Sequence, residues 1–136
     1  MTSSMFAEFN GAAGQIPSSR SFPIDSEGLM SRCLGKISFA LMLLEEFESS
    51  GKRNVEKIVK HVERNEPLAA AEAAHALKGT AGIIGAEVLQ QLAAEIEDAG
   101  RGGQSTIQLA LVHGLQAEMG RCLDFIPAFR DKAGKA

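Results

Sequence analysis

Apolar residues recur every three to four positions along most of this chain and nowhere alternate with polar ones over a useful length. That period belongs to helices with one buried face and argues against strands. Ile107, Leu111, Leu115, Met119, Cys122 and Ile126 form one such stripe, and Val88, Leu89, Leu92, Ala93 and Ile96 form another. The connections between stripes are short enough for antiparallel neighbours. The expected fold is therefore all-α: an up-and-down antiparallel four-helix bundle with an additional short N-terminal helix or helices. A chain of 136 residues suits one such core.

Residues 1–24 are rich in Ser, Gly and Ala, contain Pro17 and Pro23, and show no helical or strand period, so they read as a flexible N-terminal tail. The bundle is expected over 25–132, with a short C-terminal tail over 133–136. Asp25 can cap a short helix that Gly35 ends near Leu34. A second helix is expected from Lys36 to about Ser49, with Ile37, Ala40, Leu41, Leu44 and Phe47 inward, and a break at Ser50 and Gly51. A third runs from Asn54 to Asn65. Pro67 suits the first turn of a long Ala-rich helix to Ile84, which Gly85 closes in the left-handed position common after helices. The next spans Ala86 to about Ala99, with Gly100, Gly102 and Gly103 after it. Ser105 or Thr106 can cap the last helix, which Pro127 kinks or ends.

The formal net charge of −3 gives no electrostatic case for nucleic acid, and seven Phe without Trp or Tyr make a poor stacking platform. Cys33 and Cys122 lie far apart beside apolar neighbours and read as reduced core thiols. The longest apolar run, from Phe39 to Leu44, is far below the roughly 20 residues of a membrane span, so no membrane association is expected and the cytoplasm is the default location. His61, His75 and His113 have no His or Cys three or four positions away, which leaves no expected metal site. There is no glycine-rich phosphate loop either, so neither a cofactor nor autonomous kinase activity is expected.

His75 stands apart from the other two histidines by its phase. Ala70, Ala73, Leu77, Thr80, Ala81 and Ile84 fall in one arc at 100° per residue, and His75 lies opposite. Within about 60° of it are Ala71, Glu72, Lys78, Gly79 and Gly82. Each glycine costs a helix roughly 1 kcal/mol relative to alanine. Ala71, Gly79 and Gly82 can thus clear a strip on which a second protein lies closely, or they can mark close helix packing. Lys78, one turn on, can neutralise a group bonded to the imidazole, or pair with Glu95 or Glu97. An exposed imidazole is in good part neutral and nucleophilic near pH 7, which suits it to carry a phosphoryl group.

The run His75-Ala76-Leu77-Lys78-Gly79-Thr80-Ala81, followed by Ile84-Gly85-Ala86, resembles the signature of histidine-containing phosphotransfer (HPt) domains. The helix order from about 25 to 130 is similar to that family throughout. The resemblance implies His75 as the residue phosphorylated at Nε2, Lys78 as the phosphate-neutralising cation and Gly79 as clearance for a receiver domain. It implies a phosphorelay intermediate that takes a phosphoryl group from a phosphoaspartate receiver, or a sensor or hybrid histidine kinase, and passes it to another response-regulator receiver. Any Mg²⁺ belongs to the partner receiver. An adaptor that docks a receiver without moving phosphate is the alternative.

Helix pairing adds two candidates. If the chain reverses near Gly85, the antiparallel neighbour of His75 falls near Glu95 to Asp98. Glu97 can orient the ring by accepting a hydrogen bond from Nδ1, or remain a solvated surface carboxylate; Arg101 can contact the phosphoryl group or the receiver. Some family members have glutamine and arginine at these distances. Arg53, Lys57, Lys60 and Arg64 form a stripe, diluted by Glu56 and Glu63, that reads either as a solvated face or as help in docking an acidic partner.

Overall fold

The computed structural model describes residues 22–102 and 107–135. Five helices account for nearly all of them: α1 (Ser26–Arg32), α2 (Ile37–Glu63), α3 (Pro67–Ile84), α4 (Glu87–Arg101) and α5 (Leu109–Lys135). No strand occurs among the described residues. In the bundle α3 packs between α2 and α4, and α5 closes against the far sides of α2 and α4. Leu44, Phe47, Ile58, Leu77, Ile84, Leu89, Ile96, Leu115 and Ile126 fill the interior. Cys33 and Cys122 are both buried free thiols, and burial pushes Cys122 up to about 12.

The break expected at Ser50 and Gly51 is absent, because α2 is one helix of 27 residues. Gly51 is a packing residue instead. A Cβ there would stand 2.7 Å from Met119 Cε and 3.4 Å from the Phe47 ring, so the missing side chain lets α5 approach. Ile37, expected inward, sits exposed at the start of α2. At the other end, α5 continues through Pro127 to Lys135, so the C-terminal tail expected from residue 133 is helical up to 135. Pro127 lies on the exposed side of α5; with no N–H of its own it leaves the carbonyl four residues back without its usual helical donor. The proposed caps Ser105 and Thr106 lie outside the described residues.

The N-terminal boundary also shifts. Ile24, placed in the tail, is 1% exposed and part of the core, and Phe22 meets Phe125 edge-on with ring centroids 6.1 Å apart. Residues 1–21 lie outside the described residues. Asp25 caps α1 by accepting from the Gly28 amide at 3.1 Å, while its own amide donates to the Gly85 carbonyl at 2.9 Å. Gly85 has φ +80 as expected, and a Cβ on it would press 3.1 Å from the Asp25 carbonyl oxygen. Arg32 adds a hydrogen bond from Nε to the Ile83 carbonyl at 3.1 Å. The α1 segment thereby ties down the C-terminal end of α3.

Candidate functional site

Helix α3 is held on two sides by small residues. Ala70, Ala73, Ala74, Leu77, Ala81 and Ile84 are buried, and Thr80 is half-buried with its hydroxyl donating to the Leu77 carbonyl at 3.1 Å. His75 points away from this arc, with 63% of its side chain exposed. Gly79, one turn on, has open space where a Cβ would stand. The two other proposed clearance residues behave differently. Ala71 is fully buried, and a Cβ on Gly100 of α4 would come within 2.9 Å of the Ala71 Cβ and 2.4 Å of the Pro67 carbonyl oxygen. Ala71 therefore belongs to the α3–α4 crossing and not to an open surface. At Gly82 a Cβ would meet Gln90 Nε2 at 2.7 Å, so the space is filled by a side chain of α4. Both residues lie on the flank of α3 toward Lys78, and that is the flank α4 covers; a single helix's phase does not say which flank a neighbour takes.

The imidazole is anchored from α4. His75 Nδ1 and Glu97 Oε2 are 2.9 Å apart, across 22 residues of sequence. The same carboxylate draws in two cations: Lys78 Nζ lies 2.7 Å from Oε1, and Arg101 Nε donates to Oε2 at 3.1 Å. Glu97 is not the solvated carboxylate that was the other reading, being 7% exposed. Lys78 bonding lowers its pKa most, against an upward push from burial, and Arg101 and His75 lower it further, to about 2. An ionised carboxylate only accepts hydrogen bonds, so Nδ1 carries the proton and donates. In the neutral ring the lone pair then sits on Nε2, which has no partner among the described residues.

Some exposed residues of this face went unremarked in the sequence. Leu68 and Ile83 are 63% and 52% exposed, two turns either side of His75 on the same side of α3. Their signal was available: large apolar residues in phase with an exposed histidine. Ile83, Thr80 and Ile84 of α3 line a shallow hollow with Leu43, Glu46 and Phe47 of α2. His61 pairs its Nδ1 with Glu66 at 2.7 Å across the α2–α3 turn, and His113 is exposed.

The Hpt domain family model matches residues 42–124, which includes His75, Lys78, Gly79, Glu97 and Arg101. Among solved structures, the crystal structure of histidine-containing phosphotransfer protein B (HptB) from Pseudomonas aeruginosa PAO1 superposes with a TM-score of 0.74 at 20% identity. The match covers 81% of this chain and 96% of that one, and it speaks for the fold. No curated protein matches the chain. No described helix is long and apolar enough to cross a membrane. With the family model spanning most of the bundle and the fold in agreement, this chain belongs to the Hpt domain family, whose members serve as phosphocarriers in phosphorelays rather than as autonomous kinases.

Proposed function

We propose that His75 accepts a phosphoryl group from the phosphoaspartate of a receiver domain, or from a sensor or hybrid histidine kinase, and passes it to the aspartate of another response regulator. The observation that carries this reading is an exposed imidazole whose Nδ1 is committed to an ionised, buried carboxylate, so that Nε2 is the nucleophile. In the accepting step an Nε2–P bond forms, the acyl P–O bond breaks and the aspartate leaves as a carboxylate. No proton has to move. The ring gains a positive charge beside Glu97, and the donating step reverses the sequence. Lys78 and Arg101 stand on Glu97 within a side chain's swing of the ring, where they offset the charge of the phosphoryl group. Gly79 gives the partner room to approach. The chain itself contributes position, and the metal ion and most of the catalysis come from the receiver.

The test mixes the chain with a phosphorylated receiver and follows the label. Acid-labile, base-stable phosphate is expected on the wild type and none on His75→Gln. A wild type that binds the receiver yet never takes up label would replace the carrier with a docking adaptor.

A further inference from the structure

Four cations of α2 form a row that pairs with no carboxylate among the described residues. Arg53, Lys57, Lys60 and Arg64 fall within an arc of about 60° and extend over roughly 16 Å; all four are exposed. Among the described residues Arg53 Nη1 donates to the neutral Ser49 hydroxyl, at 2.9 Å, and pairs with no carboxylate. Among the described residues Lys57, Lys60 and Arg64 have no carboxylate within 4.0 Å, although Glu56 and Glu63 sit on the same helix. Lys78 and Arg101, by contrast, are both drawn onto Glu97. Like charges at i and i+4, as in Arg53 with Lys57 and Lys60 with Arg64, disfavour a helix. Residues 52–64 carry five Lys or Arg against two Glu, in a chain with 14 basic and 17 acidic residues. The row is an isolated positive strip on a negative protein.

Its direction connects it to His75. Glu46 lies five turns from Arg64 and so shares the phase of the row. Glu46 also lines the hollow that Ile83 of α3 completes, and Ile83 is exposed on the same side of α3 as His75. Axially, α2 and α3 turn back at Arg64 to Glu66, so the stretch of α2 level with His75 lies near Val55, between Arg53 and Lys57. One face of the α2–α3 pair therefore presents the imidazole, apolar Met42 and Ile83 toward one end, and unneutralised cations from the level of His75 to the other.

We propose that Arg53, Lys57, Lys60 and Arg64 form the electrostatic half of the docking surface for a receiver domain, engaging acidic side chains beside its phosphorylated aspartate. The proposal rests on the carrier reading and names the charge of the partner surface. The complementarity is chemical: an acyl-phosphate site that holds a metal ion is built from carboxylates, and its rim is anionic. The row steers that rim onto His75 and selects acidic receivers over neutral or basic ones.

The experiment measures binding of the full chain to a panel of receiver domains loaded with beryllofluoride, by fluorescence anisotropy. Acidic receivers are expected to bind with a Kd that rises about tenfold between 50 and 500 mM NaCl. Lys57→Glu/Lys60→Glu is expected to weaken binding at least about tenfold at low salt and to flatten the salt dependence. Lys57→Gln/Lys60→Gln, which adds no repulsion toward Glu56 and Glu63, gives a smaller loss in the same direction. Labelling of His75 by phosphoramidate, a small donor that needs no docking surface, is expected to be unchanged in both. Wild-type affinity in the folded variants would overturn the proposal, as would binding to phosphatidylserine vesicles in place of any receiver. A wild type that binds acidic receivers but takes no label from receiver or phosphoramidate would instead remove the carrier reading and leave the docking surface standing.

Discussion

Glu97 and His75 meet through a single 2.9 Å contact between α4 and α3, and that contact decides which ring nitrogen keeps its lone pair exposed. Its partners make the carboxylate a hub: Lys78 holds one oxygen, and His75 and Arg101 share the other. Replacing the charge while keeping the shape separates orientation from electrostatics. Glu97→Gln is expected to slow label transfer to His75 by about tenfold to a hundredfold, the worth of one charge-assisted hydrogen bond. Rapid-quench transfer from a phosphorylated receiver checks this; a rate within twofold of wild type would remove Glu97 from the positioning role.

The same residue makes stability depend on acid. Its folded pKa of about 2 lies below the ordinary 4.5, so the folded state favours the ionised form. That contribution, on the order of 3 kcal/mol, is complete above pH 4.5 and is lost as pH falls toward 2. Urea melts between pH 5 and pH 2 are expected to show a steeper decline in the wild type than in Glu97→Gln. Parallel declines would contradict the depressed pKa.

Gly79 is the site where stability and transfer should part company. A Cβ there would meet nothing within 4 Å among the described residues, and a glycine in a helix interior costs roughly 1 kcal/mol. Gly79→Gln is thus expected to melt at or above the wild-type temperature, by about 0.5–1 kcal/mol of added stability, while transfer from a receiver drops at least about tenfold. Phosphoramidate labelling, which needs no docking, distinguishes a blocked approach from a damaged imidazole.

Gly100 presents the opposite case. A Cβ at this position would stand 2.4 Å from the Pro67 carbonyl oxygen, a backbone atom that cannot swing aside. Gly100→Ala is expected to destabilise the bundle by about 2–3 kcal/mol by overpacking and to push α4 away from α3. Since Glu97 rides on α4 less than one turn away, the His75 Nδ1 bond should lengthen or break, visible as a change in the imidazole nitrogen shifts by NMR. Unchanged melting and unchanged shifts would show that α4 has slack at this crossing.

Much of this molecule is decided by local physics acting on the sequence. The 3.6-residue period gives helices, Asp25 and Gly85 mark two of their ends through capping and a left-handed turn, and the phase of α3 turns His75 outward. Even the meeting of His75 with Glu97 follows from the common axial rise of two antiparallel helices about a turn at Gly85. Glycine misleads where its role is steric: Gly51 resembles a break, and only Met119, arriving from α5, shows that it is a contact. Ala71 and Gly82 lie as near to His75 by phase as Gly79 does. The tertiary structure alone assigns them to the flank that α4 covers, because a helix's own periodicity defines its faces but not which of them another helix will occupy. Burial of Glu97 among Lys78, Arg101 and His75 is likewise a product of assembly, since a charge loses its water only when a second helix closes over it.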